Sequence, residues 1–205
     1  MRMDEMIRSF PHQINDQWEA LKSLDLDLDR FSGIENIVIA GMGGSAISGD
    51  IAKMLSKKEL SVPITVVRDY SIPRWTDERT LFILSSYSGN TEETISCFKA
   101  AILKSKKIIS ISTGGEIESL SRDNDVQIVG LPSNYQPRAA LGFSLITLLT
   151  VLSKINLISS GFLNSVVTAS NTLDDFYDKY CADGLLAESI AKQIKDGVIA
   201  IYGVE

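Results

Sequence analysis

Five short β-branched runs, separated by segments long enough to carry helices, constrain this chain more than any other feature. They are Ile37-Val38-Ile39-Ala40, Ile64-Thr65-Val66-Val67, Leu81 to Leu84, Ile108 to Ile111 and Val126 to Val129. Most are apolar throughout rather than alternating, the pattern of strands buried on both faces. Ala46 to Leu55 and Thr91 to Lys104, lying between them, have the length of crossover helices. This order predicts an α/β fold with a parallel sheet covered on both sides. In such sheets ligands bind beyond the carboxyl ends of the strands, where the strand order reverses.

Helical segments flank this core. Asp4 to Leu24 carries Ile7, Phe10, Ile14, Trp18 and Leu21 at helical spacing and reads as a helical preface. Leu24 to Asp29 alternates apolar residues with aspartates; the repeated Asp marks a loop or short turn. Ala139 to Leu152 is almost continuously apolar, so it predicts a helix buried all round and too short for a bilayer. Packing between domains or subunits would bury it, hence the expectation of a homodimer. Phe162 to Tyr180 reads as one amphipathic helix, with Leu163, Val166, Val167, Leu173, Phe176, Tyr177 and Tyr180 on one side. Gly184 to Lys195 reads as another helix, and Gly197 to Gly203 as a sixth strand opening a new α/β unit.

The chemistry gathers at the predicted carboxyl edge. Ser86-Tyr87-Ser88-Gly89-Asn90-Thr91 follows the third strand and opens a helix. A helix's first turn offers unpaired N–H groups and the positive end of its dipole, so a phosphate there would accept those groups and the hydroxyls of Ser86, Ser88 and Thr91. Gly89 lets backbone approach where a side chain would intrude. The loop has no Lys or Arg, so the anion would be read by dipoles. A plain helix cap is the simpler reading, but capping needs one hydroxyl and this loop has three. Gly41-Met42-Gly43-Gly44-Ser45-Ala46 follows the first strand and matches G-x-G-x-x-A, with Asp69 ending the second. It reads as a tight turn, a dinucleotide fingerprint, or a loop in which Gly43, Gly44 and Ser45 bring backbone up to a sugar phosphate. We favour the last. Ser112-Thr113-Gly114-Gly115 is a third polar turn, either plain loop or site wall. Arg138 sits just before the buried helix, where a cation is mildly disfavoured; that placement suggests an anionic partner.

Composition excludes several classes. With 26 acidic against 20 basic residues the net charge is −6, a poor match for nucleic acid. Cys97 and Cys181 are isolated and read as buried apolar thiols, without metal or disulfide roles. His12, the only histidine, reads as a surface residue, leaving little for a histidine mechanism. The amino terminus lacks the apolar core of a signal peptide, and no apolar run reaches the roughly 18 residues of a membrane span; a cytoplasmic protein without membrane partners is expected.

Taken in order, Gly41 to Ser45, Ser86 to Thr91, Ser112 to Gly115 and Pro137-Arg138-Ala139-Ala140-Leu141 resemble the SIS (sugar isomerase) fold, and more narrowly the bifunctional phosphoglucose/phosphomannose isomerase family. The similarity runs from about Asn36 to Leu152. It implies a flavodoxin-like three-layer αβα domain with a five-stranded parallel sheet, a homodimer, no metal and no cofactor. It implies interconversion of glucose 6-phosphate or mannose 6-phosphate with fructose 6-phosphate through an enediolate. By resemblance Ser45, Ser86, Ser88 and Thr91 hold the phosphate, Gly43, Gly44 and Gly89 supply backbone, and Arg138 stabilises the enediolate. The division implied is 1–35 helical preface, 36–153 SIS domain, and 154–205 linking helices with the start of a second SIS domain. The family's base (a Glu), ring-opening His and late Lys belong to that second domain. The chain is therefore expected to supply the phosphate-binding half of a longer isomerase. A sugar-phosphate-binding module without catalysis, or a nucleotide-binding oxidoreductase, are the alternatives.

Overall fold

The computed structural model describes residues 2–180, 186–195 and 197–200. Five strands form one all-parallel sheet: β1 (Asn36–Ala40), β2 (Ile64–Val67), β3 (Thr80–Ser86), β4 (Ile108–Ser112) and β5 (Gln127–Gly130). Their spatial order is β2-β1-β3-β4-β5. Every expected run from the first to the fifth became a strand. The order reverses between β1 and β3, so their carboxyl ends form the crevice in which sheets of this kind bind ligands. β3 is buried over its whole length because it lies at the centre, with β1 and β4 on its flanks.

Alternate residues divide the core into two layers. Ile37, Ile39, Leu81, Ile83, Ile109 and Ile111 meet α2 (Phe10–Ala20), α3 (Gly43–Leu55), α6 (Leu141–Lys154) and α7 (Ser160–Ser170). Val38, Phe82, Leu84 and Ile108 meet α4 (Glu92–Ala101) and α5 (Gly115–Asp123) on the other face. The result is a three-layer αβα fold. Full burial of a side chain such as Phe82 contributes about 1.5–3 kcal/mol, so the strand interiors dominate stability.

The flanking helices differ from expectation at several points. The preface divides at Ser9 into α1 (Met3–Arg8) and α2, because Pro11 is compatible with the first turn of a new helix but not with the interior of a continuous one. It is no detached preface: Ile14 and Leu21 belong to the main core. α6 is buried from Gly142 to Leu152, as its composition predicts, but its cover comes from α2, α3 and α7 of the same chain. Its burial therefore needs no subunit interface. The single helix expected over Phe162 to Tyr180 is broken into α7 and α8 (Leu173–Tyr180). Near the break, Ser170 and Thr172 hydroxyls donate to the carbonyls of Val167 and Ala169 at 2.7 and 2.8 Å, a competitor to helix continuation. Leu163 and Val167 reach the core, whereas α8 buries none of its residues. α9 (Leu186–Ile194) lies where the last helix was expected. The sixth strand does not form over residues 198–200, which have no strand partner among the described residues; 201–203 and Cys181 lie outside them.

Candidate functional site

Strand register brings the polar turns together. Ala40 pairs with Leu84 and Ser86 with Ser112, so the loops after β1, β3 and β4 leave the sheet side by side. The approach is close: a Cβ on Gly41 would stand 2.7 Å from the Ser85 carbonyl oxygen. A Cβ on Gly89, where φ is +74°, would stand 1.7 Å from the Gly114 carbonyl oxygen. No L side chain fits there. The loop after β3 is thus locked against the Ser112 to Gly115 turn. Thr113 donates from both its amide and its hydroxyl to the Tyr87 carbonyl at 3.0 and 2.7 Å. The Ile117 amide donates to the Gly89 carbonyl at 2.9 Å, and the Glu116 amide to Asn90 Oδ1 at 3.0 Å. The third turn is a structural wall of the loop.

The three hydroxyls have different surroundings. Ser86 is buried; its Oγ accepts the Gly89 amide at 3.1 Å and lies 2.9 Å from Thr91 Oγ1. Ser88 is exposed, and its Oγ accepts the Asn90 amide at 3.2 Å, which leaves its proton free to donate outward. Thr91 occupies the N-cap position of α4, but its hydroxyl faces Ser86 instead of capping the helix. The first-turn amides of α4 consequently have no side-chain cap, the condition that suits an anion. In the same turn, Glu92 and Glu93 lie toward Tyr70, whose hydroxyl donates to Glu92 at 3.4 Å. Glu93, with burial and Glu92 after it, holds the Tyr70 phenol above its ordinary value.

Across the crevice stands the start of α3. Gly43 has φ of +49°, and Met42 at the N-cap provides no side-chain bond to the first turn. Ser45 is buried, and its hydroxyl has no partner among the described residues. A Cβ on Gly44 would come within 3.0 Å of the Pro137 carbonyl oxygen and 3.9 Å of Arg138 Cα. Gly44 is therefore needed for contact with protein backbone, a role the dinucleotide fingerprint does not predict. Through it the Pro137–Ala139 310 turn docks beside the β1 loop, and Arg138 is brought to the same edge. Arg138 is exposed and has no hydrogen-bond or ion-pair partner among the described residues, whereas Arg68, which follows β2, is tied to Asp50. His12 is exposed and Cys97 buried, as expected.

Two elements of this arrangement escaped the sequence reading. Tyr87 is buried; its hydroxyl donates to the Pro132 carbonyl at 2.6 Å and accepts the Tyr135 amide at 3.2 Å. Burial pushes its phenol up, which keeps that donor protonated. Gln13 and Gln17 of α2 are buried, Gln13 against the segment that bears Arg138 and Gln17 against Gly130 and Thr147. Both fall inside the apolar stripe of α2, a signal visible in the sequence. Among the described residues no group of three or more His, Cys, Asp or Glu could hold a metal ion, and no helix is long and apolar enough to cross a membrane.

Comparison with known proteins adds to this geometry. The chain is 35% identical over 206 residues to a bifunctional phosphoglucose/phosphomannose isomerase of Caldicellulosiruptor bescii, covering 98% of this chain and 60% of that protein. It is 36% identical over 207 residues to the enzyme of that name from Thermoplasma acidophilum, with 97% and 60% covered. The chain is a homologue of the bifunctional phosphoglucose/phosphomannose isomerases. It spans about 60% of the length of these relatives. No family model matches it. Among solved structures, the C-terminal domain of glucosamine-fructose-6-phosphate aminotransferase from Francisella tularensis superposes with a TM-score of 0.68 at 17% identity, covering 93% of this chain and 58% of that one. At that identity the likeness concerns the fold alone: an α/β three-layer domain of the SIS type, as the resemblance implied.

Proposed function

We propose that this chain forms the phosphate-binding and Arg138-bearing part of an aldose–ketose isomerase that interconverts glucose 6-phosphate or mannose 6-phosphate with fructose 6-phosphate. The observation that carries the reading is the uncapped first turn of α4 at the β1/β3 reversal, with the hydroxyl residues Ser88 and Thr91 in the loop that leads into it. In this reading the phosphate accepts the α4 amides, the free protons of Ser88 and Ser45, and that of Thr91 when Ser86 donates to the Thr91 hydroxyl. Ser86 is the fourth member; with its Oγ holding the Gly89 amide, it fixes the loop from below. Gly43, where a Cβ would meet open space, lets backbone come close to the sugar phosphate, while Gly44 and Gly89 let their loops pack against the Arg138 turn and the Ser112 to Gly115 wall.

Isomerisation moves a proton between C1 and C2 and places charge on the oxygens of an enediolate. That charge needs a fixed cation, and a guanidinium free of carboxylate partners is suited to it. Arg138 takes that role. The proton-transferring carboxylate is expected in the part of the relatives that this chain does not match. The division at 1–35, 36–153 and 154–205, the homodimer and the cytoplasmic location belong to the same proposal and are supported by the resemblance.

A coupled assay on the full-length protein tests the reading: fructose 6-phosphate should be converted to aldose 6-phosphate, with exchange of the C2 proton in deuterated water. Binding of hexose 6-phosphates without such exchange would replace the enzyme by a sugar-phosphate-binding module. Preference for NAD over sugar phosphate would overturn both.

A further inference from the structure

We propose that Gln13 is a positioning residue for Arg138, an inference that rests on the isomerase reading above. Gln13 lies in α2, far from Arg138 in sequence, and is 1% exposed. Its Nε2 donates to the Ala139 carbonyl at 2.7 Å, with the Met6 carbonyl and Ser9 Oγ both at 3.1 Å. Its Oε1 accepts the Gly142 amide at 3.1 Å. Two amide protons face three acceptors, and the bond to Ala139 is the shortest of the set.

These contacts grip the residue after Arg138 and the first turn of α6 at once. Gly142 completes the clamp, since a Cβ there would lie 2.9 Å from Gln13 Cβ and 3.0 Å from the Phe10 carbonyl oxygen. On its other side the Arg138 turn rests against Gly44. The turn is thus held between α2 and the β1 loop, and the guanidinium inherits its position from both. Gln17, one helical turn further along α2, makes a comparable pair of buried bonds elsewhere: its Nε2 donates to the Gly130 carbonyl and to Thr147 Oγ1, each at 3.0 Å. It supports the fold without touching the Arg138 turn, and so provides a matched control. A transition-state contact tolerates little displacement, so loosening the turn is felt in the chemical step more than in substrate binding.

The test compares Gln13→Met, Gln17→Met, Arg138→Ala and the Gln13→Met/Arg138→Ala double variant in the full-length protein. Gln13→Met should lower kcat for fructose 6-phosphate about 10- to 100-fold with KM changed less than about threefold. Gln17→Met should lower Tm comparably yet leave kcat within about threefold. In the Arg138→Ala background, Gln13→Met should cause no further fall in kcat. Equal kcat losses for the two glutamine variants, or an undiminished Gln13→Met effect without Arg138, would overturn the proposal. If Gln13→Met does not fold, Gln13→Leu, of similar size and with neither donor nor acceptor, should give the same split. Hydrogen exchange separates this claim from the isomerase reading. Amides of residues 138–142 should exchange faster in Gln13→Met than in Gln17→Met whether or not the wild type turns over, and equal rates would refute positioning.

Discussion

At the scale of single residues, the site depends on places where backbone approaches backbone. Gly89 is the tightest: its positive φ and the 1.7 Å gap to the Gly114 oxygen leave no room for a methyl group. Gly89→Ala should cost about 3 kcal/mol or more, measured by denaturant unfolding, and should weaken hexose phosphate binding because the loop must leave the Ser112 to Gly115 wall. A second residue tests burial rather than the site. Cys97 is fully buried, its Sγ donates to the Asp69 carbonyl at 3.2 Å, and burial, with Asp69 and Glu93 behind it, pushes the thiol up to about 11 from an ordinary 9.0. A raised value in the folded state means the neutral thiol contributes stability that is complete below pH 9 and lost as pH rises toward about 11. Unfolding free energy should therefore fall across that window, and Cys97→Ala should flatten this part of the profile. The glycines and hydroxyls were legible in the sequence because each breaks an apolar strand at its end. The burial of Gln13 was signalled by its place in the apolar stripe of α2, but its role and that of Tyr87 were not legible, since their partners Ala139, Gly142, Pro132 and Tyr135 lie far away along the chain.

At the scale of elements, apolar periodicity carried the five strands and the crossover helices, because strands buried on both faces have little freedom to be anything else. It failed at α7 and α8, where the amphipathic pattern runs on across Ser170 to Thr172 while the backbone turns. It also misassigned the cover of α6: composition reports that a helix is enclosed but not what encloses it. The connection between β5 and α6 matters most for the site, because it delivers Arg138. Tyr87 pins it from the β3 loop through Pro132 and Tyr135, so the loop after β3 and the arginine are parts of one framework. Tyr87→Phe removes one donor and one acceptor from a buried network. It should destabilise the protein by about 1–2 kcal/mol in chemical denaturation. Hydrogen exchange should rise in residues 131–136 while the strands keep their protection.

At the scale of the whole molecule, the proposed function asks an acidic protein to hold an anionic sugar. Its net charge of −6 gives no general attraction, so in that proposal selectivity has to come from local dipoles and the guanidinium of Arg138. The order β2-β1-β3-β4-β5 makes this possible by opening the crevice between the loops after β1 and β3, beside which the β5–α6 connection brings Arg138. Relatives of greater length share this sequence over nearly its full extent, which is why the proton-moving groups are sought outside the matched part. The central claim is that dipoles and hydroxyls at the head of α4 bind the phosphate. Titration calorimetry of fructose 6-phosphate against the wild type and a Ser88→Ala/Thr91→Ala variant, with matching thermal unfolding curves, tests it directly. Affinity should drop at least about tenfold in the variant while the fold persists; an unchanged dissociation constant would contradict the account.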